Sequence, residues 1–150
     1  MSRAIPVPPP NAHRMQYRVP YSETDAMARV YYANYLIWLE RGRTEMLRSM
    51  GFAYRDLEER GVLLPVRECN VRYLGFAQYD DLILLTTWVS ALTRARIEFT
   101  TLAFNPDESH PITLGVVELA CVNRQGRPVQ FPDEIRQAFT PYLHLLPDGS

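Results

Sequence analysis

The sequence predicts an α+β two-layer domain, a five-stranded antiparallel sheet wrapped round one long helix. Residues 34–50 repeat their apolar positions at three and four, the period of a helix. After residue 62 the period changes to two and stays there through four separate stretches. Only turn-length segments separate these stretches, so successive strands have no room for crossovers and are expected to form antiparallel hairpins. A seventeen-residue helix, about 25 Å long, is left to pack on that sheet.

Taken in order, residues 1–14 carry Pro6, Pro8, Pro9 and Pro10 and read as a flexible Pro-rich arm. Residues 16–20 read as a short strand, with Tyr17 and Val19 on one face. The long helix follows, its stripe made of Tyr35, Trp38, Leu39, Gly42, Met46 and Met50, with Gly51 as its stop. Gly42 on that stripe is expected to let the helix backbone approach the sheet closely. A short helix over 54–60 ends at Gly61. Strands are then expected around Cys69, Val71 and Tyr73, and over 82–91, 96–104 and 112–122. A last short helix, 132–139, begins with Pro132 at its first position. The domain is expected to span 15–141, with 142–150 as a tail. The sheet's other face also carries Leu, Val and Trp with no helix left to cover it, which predicts a homo-oligomer.

Composition removes several function classes. At 150 residues, 47% hydrophobic and 22% charged, the chain matches one soluble globular domain that needs no disulfide or metal to form a core. It has no run of eighteen apolar residues and no apolar segment of a secretory signal at its start, so a cytoplasmic protein without a membrane span is expected. Net charge is −1, without the basic excess of a nucleic-acid binder. All sixteen cations are Arg, which excludes a Schiff-base or P-loop lysine. Cys69 and Cys121 are far apart and without metal-ligand spacing, and both read as buried, inert thiols. His13, His110 and His144 sit near Pro-rich or terminal segments, so no metal site is expected.

Chemistry is concentrated in residues 21–35, ahead of the long helix. Asp25 lies on an irregular segment whose charged neighbours are Glu23 and Arg29. A helix start offers unpaired N–H groups and a positive dipole end. A carboxylate beside such donors suits attack on a carbonyl. Asp25 also reads as the cap of a turn. No G-x-S-x-G occurs, and no His stands near a plausible nucleophile. Arg94 and Arg96 flank a hairpin, where two Arg in a turn read as solvated surface charges. Trp38 and Trp88 read as core, and Glu40 and Glu45 as an exposed helix face.

The run Thr24-Asp25-Ala26-Met27, then Val30-Tyr31-Tyr32-Ala33-Asn34-Tyr35-Leu36, Trp38-Leu39-Glu40 and Arg43-Thr44-Glu45, resembles the signature of the 4-hydroxybenzoyl-CoA thioesterase family. The turn over 77–81, the 94–99 hairpin and Gly126-Arg127-Pro128-Val129-Gln130-Phe131-Pro132 follow the same order, so the resemblance covers roughly 17–139. It implies a hot-dog fold, in which the sheet wraps the helix. It implies that Asp25 is the catalytic carboxylate, nucleophile or general base, and that the Tyr32 backbone N–H binds the thioester oxygen. Arg94 and Arg96 fall where the family often places cations for coenzyme A phosphates. No metal or redox cofactor is implied, coenzyme A being part of the substrate. Ala28 stands where relatives usually have Gly, and a positive φ there would strain it by about 1 kcal/mol or more. The expected activity is hydrolysis of an acyl-CoA to free acid and coenzyme A. The alternatives are an acyl-carrier-protein thioesterase of the same fold and a non-catalytic acyl-CoA binder.

Overall fold

The computed structural model describes residues 4–147; residues 1–3 of the expected arm and 148–150 of the expected tail lie outside them. Five strands, β1 (His13–Arg18), β2 (Val66–Tyr73), β3 (Leu82–Leu92), β4 (Arg96–Phe104) and β5 (Pro111–Ala120), form one sheet. Helix α1 (Tyr35–Ser49) lies against it, with α2 (Tyr54–Glu59) and α3 (Asp133–Phe139) at the margin. Every strand pair is antiparallel, in the order β1-β3-β4-β5-β2.

That order corrects one expectation. β2 and β3 are not a hairpin: β2 pairs with β5 at the far edge, because β3 already has β1 and β4 as neighbours. The chain between β2 and β3 therefore crosses the end of the sheet, and this crossing passes beneath the Asp25 segment. Strand β1 also starts earlier than expected, at His13, where the chain begins to pair with Thr87. Pro132 is the cap position before α3, not its first residue, since its ψ of 142° is extended.

Helix α1 buries Tyr35, Trp38, Leu39, Gly42, Met46 and Leu47. Full burial of a Leu or Met side chain contributes roughly 1.5–3 kcal/mol, so this stripe alone fixes the helix on the sheet. Gly42 makes the close approach possible: a Cβ there would lie 2.5 Å from Thr87 Oγ1. Trp38 and Trp88 are both fully buried, on opposite faces of the sheet.

The outer sheet face is not left for a partner to cover, contrary to the argument from helix count. Trp88, Leu102, Phe104 and Leu114 are buried there, packed against Ala12 from the N-terminal segment and Leu146 from the tail. Pro6 and Pro9 are buried, and Asn11 Nδ2 donates to Pro141 O at 2.9 Å, joining the two ends. His144 N–H donates to Val89 O at 2.8 Å, continuing the edge of β3 beyond β1. Among the described residues no helix is long and apolar enough to cross a membrane.

Candidate active site

Asp25 sits in a small hairpin between β1 and α1. Thr24 bridges Val30, Tyr31 N–H donates to Glu23 O at 3.0 Å, and Asp25 N–H donates to Arg29 O at 2.7 Å. The tip closes through Ala28 N–H to Asp25 O at 3.0 Å. Asp25 Oδ1 accepts from Met27 N–H at 2.8 Å and Arg29 N–H at 3.3 Å, an Asx-type turn. The capping role is thus present, while among the described residues Oδ2 accepts from no donor. Cap and free carboxylate oxygen coexist in one residue. Ala28 has φ 58°, the strained left-handed conformation expected for a position that favours Gly. The β2–β3 crossing holds the tip from below: Val30 N–H donates to Ala77 O and Tyr79 N–H to Ala28 O, each at 2.9 Å.

The same hairpin leads into the helix. Tyr32–Asn34 is a 3-10 turn running directly into α1, so Tyr32 is the first residue of a continuous helical segment. Among the described residues no acceptor takes the Tyr32 N–H, as expected at a helix start. Tyr32 O accepts from Tyr73 OH at 3.1 Å, which ties the turn to the end of β2. Round this point the structure gathers exposed aromatic rings. Tyr31 and Tyr32 lie 4.9 Å apart, Tyr21 and Tyr79 5.4 Å, and Arg29 stacks over Phe76 at 4.1 Å. Met27, at the tip of the same hairpin, is 70% exposed.

Sequence reasoning passed over Glu23. It is buried, with Oε1 accepting from Trp38 Nε1 at 2.8 Å and Oε2 from Tyr17 OH. Its carbonyl accepts from Asn34 Nδ2 at 2.8 Å as well as from Tyr31 N–H. Burial first, and then the bond to Glu23, push the Tyr17 phenol up to about 12. A carboxylate followed by Asp25 two residues later was the only signal, and nothing local marks it as buried.

Arg94 and Arg96 lie elsewhere. They flank the β3–β4 turn, at the opposite end of β3 from Asp25, and an eleven-residue strand spans about 35 Å at ~3.3 Å per residue. With its carboxamide turned to satisfy both partners, the Gln130 oxygen accepts from Arg94, from Nε at 3.1 Å. Arg96 pairs with Glu118 at 3.5 Å, half exposed. A single chain therefore does not bring Asp25 and these arginines together. A groove of about 560 Å³ between Arg48 on α1 and Tyr54, Arg55 and Asp56 on α2 is at the wrong end of α1 for Asp25. Cys121 is buried as expected, but Cys69 is exposed, because β2 is an edge strand with most of its side chains open to solvent. Among the described residues no three His, Cys, Asp or Glu side chains stand close enough to share a metal ion.

This combination of antiparallel sheet and long helix occurs in known proteins. A family model described as the thioesterase-like superfamily matches residues 19–139. The chain belongs to that superfamily. It is 35% identical over 131 residues to the acyl-CoA thioesterase YbgC of Haemophilus influenzae, covering 86% of this chain and 95% of that one. A solved structure of a probable thioesterase from Bartonella henselae superposes with a TM-score of 0.75 at 32% identity, covering 81% of this chain and 99% of the other. A DHNA-CoA thioesterase from Staphylococcus aureus superposes with a TM-score of 0.80 at 28% identity, covering 87% and 89%. The fold is therefore the hot-dog fold of this superfamily, and the matched span takes in the Asp25 hairpin, α1 and the whole sheet from β2 onward.

Proposed function

We propose that the protein is an acyl-CoA thioesterase in which Asp25 is the carboxylate that attacks, or activates water to attack, the thioester carbonyl. Thioester hydrolysis as the enzyme class follows from membership of the superfamily. The observation that carries the finer reading is the shared hairpin: the rung from Tyr31 N–H to Glu23 O holds the Asp25 turn against the start of the helical segment at Tyr32. Charge developing on the thioester oxygen would meet the Tyr32 N–H at the positive end of the helix dipole. As general base, Asp25 takes a proton from water while the water oxygen bonds to the carbonyl carbon. The C–S bond then breaks, and the departing thiolate recovers the proton. A thiolate leaves readily, so a carboxylate and an N–H donor suffice without a Ser-His-Asp triad, a metal or a redox cofactor. The narrower kinship, with 4-hydroxybenzoyl-CoA thioesterases, rests on the same Asp-to-Tyr run.

We further propose that the active unit is a homo-oligomer, a dimer or a dimer of dimers. Exposed Tyr31, Tyr32, Tyr73 and Val66 lie along or beside the open edge of β2. An unpaired strand edge and exposed apolar side chains both favour association. Sedimentation at micromolar concentration is expected to show no stable monomer.

The deciding experiment is thiol release from a panel of benzoyl-, hydroxybenzoyl-, short- and long-chain acyl-CoA substrates, with acyl-carrier-protein thioesters in parallel. Turnover of one or more acyl-CoAs is expected. Turnover of the carrier-protein thioesters alone would reassign the carrier, and inertness throughout would leave a binder.

A further inference from the structure

We propose that Glu23 is the positioning residue of this site, holding the Asp25 turn and the Tyr31–Asn34 turn in one fixed relation. The proposal rests on the reading of Asp25 given above. Glu23 is the only buried Asp, Glu or Arg among the described residues, at 7% exposure. Burying a carboxylate is unfavourable unless its oxygens are hydrogen-bonded. Both oxygens are bonded here, to three different parts of the fold counting Glu23 itself: Trp38 on α1 and Tyr17 on β1 meet the segment that carries Asp25. The main chain of the same residue completes the tie. Glu23 N–H donates to Pro20 O at 3.1 Å, and Glu23 O accepts from Tyr31 N–H and from Asn34 Nδ2.

Every polar atom of Glu23 is therefore used, and each bond ends on a residue that fixes one side of the site. Trp38 is fully buried one turn into α1, so its indole N–H is a rigid donor. Tyr17 stays protonated across any working pH, since its phenol is pushed up to about 12, and it remains a donor throughout. The cation facing this cluster is Arg41, whose guanidinium lies 5.3 Å from the Tyr17 ring centroid. Asp25 itself is exposed on a hairpin whose tip has no core contact of its own. Without the Glu23 side chain the hairpin would keep its rungs, its bonds to the β2–β3 crossing and the burial of Val30, but lose its hydrogen bonds to Tyr17 on β1 and Trp38 on α1, and the carboxylate would shift relative to the Tyr32 N–H.

A positioning residue and a merely structural one differ in kinetics. Displacing a reacting group by about 1 Å costs on the order of 10²-fold in rate while leaving remote binding intact. Glu23→Ala, assayed well below its melting midpoint, is expected to lower kcat by about 30–100-fold with KM within about threefold. Glu23→Gln keeps the shape, accepting from Trp38 through its oxygen and donating to the Tyr17 oxygen, and is expected to restore kcat to within about threefold of the wild type. Tyr17→Phe and Asn34→Ala each remove one tie and are expected to lower kcat by about 3–10-fold, again without raising KM. These two decide the matter should Glu23→Ala not fold.

Wild-type kcat in folded Glu23→Ala, or in both Tyr17→Phe and Asn34→Ala, overturns the proposal and leaves Glu23 as a stability element. Glu23→Gln as impaired as Glu23→Ala also overturns it, since charge and not placement would then be the need. Asp25→Asn keeps the two failures apart. An active Asp25→Asn removes the reading of the site itself, whereas an inactive one beside a fully active Glu23→Ala removes only the role of Glu23.

Discussion

Two tight turns at opposite ends of β3 carry the charged residues that the sequence singles out, and they are built differently. The Asp25 turn is tied to a buried carboxylate, closes through an Asx-type cap and holds Ala28 at φ 58°. The Arg94–Arg96 turn lies on the surface, and its guanidinium groups rest on Gln130 and Glu118. Strain and buried charge are unfavourable features that persist where surrounding structure over-determines them, and they concentrate at functional sites. Exposed ion pairs contribute little and hold little in place. The first turn thus rests on a buried side-chain network, whereas the second is held through its backbone and carries its charges on the surface.

The largest expected effect lies at the first turn. Asp25→Asn is expected to lower kcat by about 10²–10⁴, the range for removing an acid–base group. The turn itself should survive, because an Asn oxygen can still accept from the Met27 and Arg29 N–H groups. Loss of rate with an unchanged melting temperature separates catalysis from capping, which the two oxygens of Asp25 otherwise combine. Near-wild-type kcat in the folded variant would reduce the residue to its cap.

The same contrast explains what the sequence did and did not disclose. Helix α1 and strands β3 and β4 were legible nearly to the residue: α1 carries a one-face apolar period, while β3 and β4, buried on both faces, are long apolar or Thr-rich runs bounded by turn residues. The place of Asp25 on a turn and that of Tyr32 at the helix start were legible because the signature is local. The pairing of β2 with β5 was not, because strand order depends on contacts between distant segments. For the same reason Cys69 was read as buried: alternation gives a face, not an edge. The cover over Trp88 comes from residues in the two chain ends, whose irregular Pro-rich composition has no period to read. Glu23 escaped notice because its partners, Tyr17 and Trp38, meet it only in the folded chain.

At the second turn the expected effect falls on KM and not on kcat. Replacing both Arg94 and Arg96 by Ala should raise KM for an acyl-CoA and leave kcat nearly unchanged, as for binding shared by ground and transition states. Well-formed charge-assisted contacts to phosphate would cost about 1.5–3 kcal/mol each when lost, against less than about 1 for an exposed pair. An acyl-pantetheine, which lacks the nucleotide, serves as control and should show no change. Because Asp25 and the arginines of one protomer stand at opposite ends of β3, a positive result would also require the two turns to come from different protomers. Equal losses on both substrates, or none on either, would return the arginines to ordinary surface charge.

The smallest effect tests the backbone of the two turns by the same substitution. Ala28 has φ 58°, whereas Ala95, between the two arginines, is not among the residues with positive φ. A left-handed non-Gly residue is strained by about 1–2 kcal/mol, and Gly removes that strain. Gly also adds freedom to the unfolded chain, an opposing term of roughly 0.5–1 kcal/mol. Ala28→Gly should therefore stabilise by about 0.5–1 kcal/mol, raising the melting temperature by roughly 1–4 °C for a chain of this size. Ala95→Gly has no strain to relieve and should destabilise by about 0.4–1 kcal/mol. Neither change removes a hydrogen-bonding group, so kcat for Ala28→Gly is expected to stay within about twofold, the Met27 and Arg29 N–H groups still holding Asp25. Denaturant titrations of both variants give the signs directly. Opposite signs mark the Asp25 turn as the strained one of the pair; two shifts of the same sign would show that the conformation of Ala28 stores no strain.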